Sequence, residues 1–506
     1  MISQILLRNA TILVPSGQPN DYVKPLRGHS LLIEGKRISK IAATIDPPTG
    51  AQIFDCTGKI IAPGFIDTHH HVWQTQLKGR HADQTLLEYL PNGNMQSVNY
   101  IPEDVFWGEL GGCLEALDAG TTTLVDHAHV NISPAHTGLM CFSATNAIEA
   151  TVSSGIRSVF CYAPTAKTKD WTPEITIDGG LLDDWVIELF ESLGTAAPFG
   201  DGRVQLGLAF YGFLLPRDQV VSIYNKARKL GVRVITTHYA GLYFGPDSVV
   251  DTLESYGLLG PDILLSHATN LTASDINKLN QIGAWISTTP DTELQMGHGN
   301  IVCFREGCTD ISSLGIDCHS NNSADIVSQM RLALQHERAD RNERLIAEGK
   351  FSRSLNLSVQ DVFRLGTIQG ARAIHMDESL GSLTVGKLAD IVIFDGESPG
   401  MICASEQDPV AAIVLHSSVR DVDMVIVDGH IRKENGRLLP VEITPSLPEV
   451  NILPQSINWN QVAKNLIASR SRVEEAISKA NATDKDQLVD SFLKLIHADG
   501  NKFVSL

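Results

Sequence analysis

A chain of 506 residues with 43% apolar residues has the material for one large core with smaller units packed on it. Its 58 acidic against 40 basic side chains leave a net charge of −18, which argues against a phosphate backbone or an anionic membrane as the main partner. The eight cysteines (Cys56, Cys113, Cys141, Cys161, Cys303, Cys308, Cys318, Cys403) form no CxxC pair, no stretch is long and apolar enough to span a bilayer, and the start lacks the pattern of a secretion signal, so a cytoplasmic protein with reduced thiols is expected.

From Ile5 to about Lys59 the chain reads as short strands and turns: Ile5 to Val14, Ser30 to Glu34, and Arg37 to Ile41 after a Gly35-Lys36 turn. Between Ile60 and His375, β-branched runs alternate with amphipathic stretches, the signature of repeated βα units around a parallel sheet. The runs are Ile60 to Asp67, Thr121 to Asp126, Arg157 to Ala163, Val204 to Tyr211, Arg233 to Thr237, Ile263 to Ser266, Ala284 to Thr288 and Ile311 to Ile316; eight of them predict a closed (β/α)8 barrel. Between runs four and five, Val220, Ile223, Tyr224 and Ala227 share one helical face that ends at Gly231. Gly381 to Phe394 and Asp421 to Ile431 return to short strands that complete the β unit begun at the start. From Asn458 the chain reads as helical, with Trp459, Val462, Leu466 and Ile467 as one apolar stripe for packing or oligomerisation. The expected divisions are 1–59 with 376–445 for the β unit, 60–375 for the barrel and 446–506 for a helical extension.

The first barrel run ends in Asp67-Thr68-His69-His70-His71. On an extended chain His69 and His71 share a face and His70 points the other way. Neutral imidazole is a good ligand for zinc and similar ions, although His-x-His alone is a weak signal. Its company strengthens it, because functional groups of such barrels collect at the carboxyl ends of the strands. Run five ends at His238, run six at His267 and run eight at Asp317. Two histidines from the first strand, His238 and Asp317 offer three nitrogens and one oxygen, leaving room for water, which is an open, catalytic type of site.

With Pro63 to His71, Ala119 to Asp126, His238, His267, Ser313 to Asp317, Gly370 to Ala373, Gly381 to Leu383 and Gly386 to Asp390, the chain resembles the amidohydrolase superfamily over nearly its whole length. The branch it resembles holds cytosine-deaminase-like, chlorohydrolase-like and S-adenosylhomocysteine-deaminase-like proteins. The resemblance implies a barrel flanked by a β-sandwich built from both chain ends, with His69, His71, His238 and Asp317 as ligands of one divalent ion per chain, zinc before iron or manganese. It implies catalytic roles for His267, beside the metal water, and for Asp317, as proton shuttle. A homodimer or homotetramer is usual among similar proteins.

The sequence departs from that pattern at one point. Ring-deaminating relatives usually carry a glutamate three residues after the strand-five histidine, and here that residue is Gly241, which transfers no proton. Glu293, in the loop expected after strand seven, is the candidate replacement. Lys167 lies beyond the expected end of strand three, and strand four carries no acidic group, so a mononuclear site is expected. Trp73, Gln74, His267 and Glu293 are the candidate substrate contacts, while Asp126, His127 and His129 enter the same bowl or serve as hydrogen-bond partners. The expected activity is metal-dependent hydrolysis of a non-peptide carbon–nitrogen bond in a small cyclic or aromatic molecule. A lyase on the same metal site and a catalytically silent scaffold are the alternatives.

Overall fold

Residues of alternating destination begin the chain, and they build a sheet with two apolar faces. The computed structural model describes residues 3–18, 20–130, 143–171, 174–240, 246–447, 450–480, 485–496, 498 and 503. Strands β1 (Gln4–Pro15), β2 (Val23–Glu34), β3 (Arg37–Ala42), β4 (Gln52–Asp55) and β5 (Lys59–Pro63) lead into the barrel. A two-residue turn with Gly35 in the left-handed region (φ 59°) joins β2 to β3, a conformation glycine adopts without steric cost.

Eight parallel strands follow. They are β6 (Phe65–His71), β7 (Thr121–Ala128), β8 (Arg157–Tyr162), β11 (Val204–Ala209), β12 (Ile235–Tyr239), β13 (Ile263–His267), β14 (Trp285–Thr288) and a divided last strand, β15 (Ser312–Leu314) with β16 (Asp317–Cys318). β15 pairs with β14 and β16 with β6, which closes the ring. A hairpin of β9 (Lys167–Asp170) and β10 (Thr176–Asp178) is inserted after β8. Helices α1 (Leu86–Asn92) and α2 (Pro102–Asp118) follow β6, and α3 (Ser143–Ser154), α4 (Asp184–Ala196), α5 (Arg217–Lys229), α6 (Val249–Ser255), α7 (Ala273–Ile282), α8 (Pro290–Gln295) and α9 (Ile326–Ala347) follow the later strands. The expected α5 face is the buried one, Val220, Ile223, Tyr224 and Ala227. α7 shows how local chemistry sets an end: Thr272 and Asp275 form a capping box, and Gly283 (φ 77°) stops the helix.

The run expected as the first barrel strand divides at Gly64. Lys59–Pro63 belongs to the terminal sheet and Phe65–His71 to the barrel. The physical reason is a close crossing, because a Cβ at Gly64 would meet the Thr122 side chain of β7 at 2.2 Å. The chain therefore steps from one sheet to the other at the only residue type that fits.

After α10 (Val359–Leu365) and α11 (Ile368–Ala373), strand β17 (Ile391–Asp395) pairs antiparallel with β5. Beyond α12 (Ile402–Gln407) and α13 (Pro409–Ala411), strands β18 (Val422–Val427), β19 (His430–Glu434) and β20 (Arg437–Leu438) extend a nine-stranded sheet drawn from both ends of the chain. Its faces separate with period two. Ile61, Ile391 and Ile393 pack with Leu7, Ile12 and Leu31, whereas Ile60, Ala62, Val392 and Phe394 pack toward Phe65, Phe106 and Leu124 of the barrel. Buried Arg157 of β8 rivets the layers: its guanidinium donates to both Asp390 oxygens at 2.7 and 3.1 Å and to Asp428 at 3.0 Å, and Lys36 pairs with Asp428 at 2.8 Å.

A small hairpin of β21 (Val441–Ile443) and β22 (Gln455–Ile457) precedes helices α14 (Trp459–Ala480) and α15 (Lys485–Leu495). The buried face of α14 is Val462, Leu466, Ser469, Val473 and Ile477, while Trp459 and Ile467 of the expected stripe are 42% and 65% exposed. Ile467 lies one residue, about 100° of helical turn, from Leu466, and so cannot share its face. Ser469 donates to Asp104 of α2 at 2.6 Å, and Arg470 donates to the carbonyls of Gln76 and Lys78. Leu488 and Phe492 of α15 pack with Trp171, Ile175, Leu87 and Leu90. Both helices thus cover the extensions of their own barrel. Among the described residues no helix is long and apolar enough to cross a membrane.

Replacing Arg157 by methionine leaves the buried Asp390 without its cationic partner and Asp428 with Lys36 alone, and urea unfolding is expected to show a loss of about 3–5 kcal/mol. Asp428 adds a pH signature. Burial opposes its ionisation, but the Lys36 hydrogen bond and the Arg157 charge outweigh burial and hold its carboxyl below the usual range. With the folded pKa below the unfolded value of about 3.9, the stabilisation is full above that value and is lost as pH falls through the folded one. Urea titrations between about pH 5 and pH 2.5 are expected to show a shallower acid-induced loss in Asp428→Asn than in the parent.

Candidate metal centre

Four side chains converge at the carboxyl end of the barrel: His69 and His71 from β6, His238 from β12 and Asp317 at the start of β16. One ligand atom from each lies within 4.8 Å of all the others. The Nε2 atoms of His69 and His71 stand 3.2 and 3.1 Å from Asp317 Oδ1, and those of His71 and His238 stand 3.3 Å apart. Ligands about 2.0–2.1 Å from a tetrahedral ion are separated by about 3.3 Å, so these spacings fit one transition-metal ion.

The groups behind the rings fix which nitrogen faces inward. His69 Nδ1 is 2.8 Å from Ser266 Oγ, and His71 Nδ1 donates to the His127 carbonyl at 3.0 Å, leaving each Nε2 as the inward atom. Burial drives the His69 imidazole down to about 3 and His238 well below its ordinary value, so both are neutral. Burial also opposes a charge on Asp317, but His267 and the hydrogen bonds from His69 and His71 outweigh it and hold the carboxyl well below the usual range. Neutral imidazoles and an ionised carboxylate are the protonation states a divalent ion requires.

His70 faces away as expected. Its Nδ1 pairs with Asp67 at 2.8 Å and its Nε2 meets His319 Nδ1 at 3.1 Å. Asp67 also accepts from the backbone N–H groups of His69 and Ile316, so it ties the first strand to the last just below the cluster.

His267, at the end of β13, directs Nε2 toward Asp317 Oδ2 at 4.0 Å. Its Nδ1 meets Thr289 Oγ1 at 2.9 Å and lies 3.8 Å from Glu293 Oε1. Burial lowers the pKa of His267, but Asp317 and Glu293 outweigh it and the net shift is upward. His267 and Asp317 both occupy the left-handed backbone region, with φ of 68° and 69°. Such strain costs about 1–3 kcal/mol per residue and is maintained where the surrounding structure demands it.

The expected substrate contacts take different positions. Glu293 lies on α8 rather than in a glycine-rich loop, buried behind His267, where it accepts from Thr289 N–H at 2.8 Å. Trp73 is fully buried, braced edge-to-face on Tyr100, and donates to His129 Nδ1 at 3.0 Å. Gln74 is also fully buried and donates to the Tyr89 hydroxyl of α1. His127 packs 4.2 Å from the His238 ring and His129 stacks 4.2 Å on His71, whereas Asp126 accepts a long hydrogen bond from Val72 N–H, at 3.5 Å. Lys167 begins β9 of the inserted hairpin, and Gly241 lies outside the described residues. The supporting residues Asp67, Ser266, Thr289 and His319 went unassigned in the sequence. Ser266 and Thr289 offered a signal there, as polar residues at strand ends beside assigned histidines. His298, which packs edge-to-face on His267 at 4.7 Å, also had one in its Gly-His-Gly setting.

Comparisons with known proteins give the family and the fold. The profile of the amidohydrolase family matches residues 60–432. A 5'-deoxyadenosine deaminase of Methanobrevibacter smithii is 27% identical over 87% of this chain and 94% of its own length. A 5-methylthioadenosine/S-adenosylhomocysteine deaminase of Pyrococcus abyssi is 25% identical over 87% of this chain and 96% of its own. Among solved structures, an adenosine deaminase from Xanthomonas campestris with bound zinc superposes with a TM-score of 0.72 at 17% identity, covering 94% of this chain and 99% of its own. An atrazine chlorohydrolase from Arthrobacter aurescens complexed with zinc gives a TM-score of 0.72 at 21% identity, covering 92% and 100%.

Inductively coupled plasma mass spectrometry on purified protein is expected to find about one divalent transition-metal ion per chain, and a His69→Ala, His71→Ala double variant is expected to lose it, since two of four ligands are removed. Retention of full metal content by the double variant would exclude this cluster as the binding site.

Proposed function

Because the chain belongs to the amidohydrolase family, we propose that it is a zinc-dependent deaminase that hydrolyses the exocyclic carbon–nitrogen bond of an adenosine-type heterocycle. The observation that carries this reading is the meeting of His69, His71, His238 and Asp317 with a fifth group, His267, whose far side is tied to Thr289 and Glu293. An open site of nitrogen and oxygen donors suits zinc, one ion per chain. The curated relatives named above as deaminases of adenine nucleosides support the substrate class.

A divalent ion in this cluster supplies Lewis acidity and brings the pKa of water toward neutrality. Everything else falls to the chain. Asp317, ionised at neutral pH, takes a proton from the attacking water at Oδ2, the oxygen that faces His267. The Nε2 of His267 donates a hydrogen bond to the oxygen as it adds to the sp² carbon, stabilising charge that develops there. Asp317 then returns the proton to the departing nitrogen, so that one water is consumed and one ammonia released. Glu293 touches His267 rather than the reacting atoms and is a positioning residue: its carboxylate and Thr289 fix the ring and favour its protonated form. The buried surroundings exclude bulk water, which strengthens these interactions.

The test is ammonia release from 5'-deoxyadenosine and adenosine by the zinc-loaded protein, with the deaminated product identified by mass. Glu293→Gln is expected to lower kcat about tenfold to a hundredfold at unchanged metal content, as for other partners that orient an active-site histidine. A protein that is fully metal-loaded yet releases no ammonia from any aminated heterocycle would refute the reading.

A further inference from the structure

His298 stands out among the buried polar groups that the proposed chemistry leaves unused. It lies between Gly297 and Gly299, both in the left-handed region (φ 80° and 102°), in the segment that follows α8. Its side chain is 3% exposed, and among the described residues neither ring nitrogen has a hydrogen-bond partner. Buried polar atoms are nearly always paired, and an unpaired one asks for an explanation. The neighbouring buried histidines mostly satisfy at least one nitrogen, as His70 does with His319 and His71 with the His127 carbonyl; among the described residues His127 shares the double lack, but its ring is packed against those of His71 and His238.

The ring's position supplies the explanation. It stands edge-to-face on His267, with centroids 4.7 Å apart and planes at 71°. Asp317 and His69 lie close enough to act on it electrostatically, although burial dominates and drives the imidazole down to about 3. His298 is therefore neutral at physiological pH, offering one N–H donor and one acceptor and no proton to give. Its ring thus lies beside His267, within electrostatic reach of Asp317 and His69.

Resting on the deaminase reading above and deepening it, we propose that His298 is a substrate-binding residue that donates a hydrogen bond to the ring nitrogen adjacent to the carbon under attack. The ligand class is an amino-substituted nitrogen heterocycle with an unprotonated ring nitrogen next to the amine-bearing carbon, as in adenine nucleosides. Binding would pair a nitrogen that is otherwise buried without a partner. The hydrogen bond would also draw electron density from the reacting carbon. The flanking glycines suit this task, because they let the backbone carry the imidazole into the site through conformations that other residues resist.

The experiment compares wild type, His298→Phe and His298→Gln as zinc-loaded proteins on 5'-deoxyadenosine, adenosine, cytosine and an aminotriazine, with metal content and circular dichroism measured on each. On the best wild-type substrate, His298→Phe is expected to lose about 100-fold in kcat/KM, the usual cost of removing one aimed donor, while His298→Gln, which keeps an N–H, recovers a large part. Wild type is expected to bind the substrate's analogue with that ring nitrogen replaced by C–H (1-deazaadenosine for adenosine) at least tenfold more weakly than the parent ring. Equal kcat/KM for His298→Phe and wild type overturns the proposal. So does equal binding of the two rings by wild type, a measurement that needs no variant to fold. Turnover of cytosine or the aminotriazine alone refutes the purine reading yet still decides the role of His298 through the same ratio. No turnover of any of them by fully loaded wild type overturns both.

Discussion

The structure depends on one electrostatic constraint: an ionised Asp317 and the imidazoles of His69, His71 and His238, two of which, His69 and His238, burial keeps neutral, are packed within a few ångströms of one another. Lone pairs of the His71 and His238 Nε2 atoms, 3.3 Å apart, repel unless a proton or a cation lies between them. Burial holds His238 well below its ordinary value, which disfavours the proton. A divalent cation would resolve the conflict.

Much of the surrounding fold serves that arrangement. Ser266 holds the His69 ring, the His127 carbonyl fixes the His71 tautomer, and Asp67 gathers the backbone of β6 and the residue before Asp317 onto one carboxylate. The left-handed backbone at His267 and Asp317 places side chains where a regular strand end would not, and the strain is offset by the closed ring of eight strands around it. Gly64 sets the position of the first strand by allowing β7 to pass at contact distance. The nine-stranded sheet then holds that crossing from below through β5, β17 and the Arg157 cluster.

The last helices act on the opposite end of the barrel. α14 binds the segment carrying Trp73 and Gln74 through Gln76, Lys78 and Asp104, and α15 packs on α1, whose Tyr89 reaches Gln74. A continuous path of contacts therefore runs from the carboxyl-terminal helices to the elements beside Asp317. The extension is part of the architecture of the mouth, which explains why its apolar face points inward and why Trp459 and Ile467 do not belong to it.

Local pattern carried the parts that depend on neighbours in the chain. Period-two runs announced the strands, 3.6-residue spacing announced α5 and its face, and the residues ending runs one, five, six and eight announced His69, His71, His238, His267 and Asp317, because barrel geometry brings strand ends together whatever lies between them. Three-dimensional packing alone decided the rest. Gly64 reads as an ordinary strand glycine until Thr122 is beside it, Glu293 reads as a loop acid until α8 turns it behind His267, and Trp73 reads as a site wall until its indole is found holding His129. Periodicity records which face of an element is buried but not what lies opposite, so the distant partners of Asp67, Ser266, Thr289 and His298 (Ile316, His69 and, for the last two, His267) are fixed only by how the ring of strands closes.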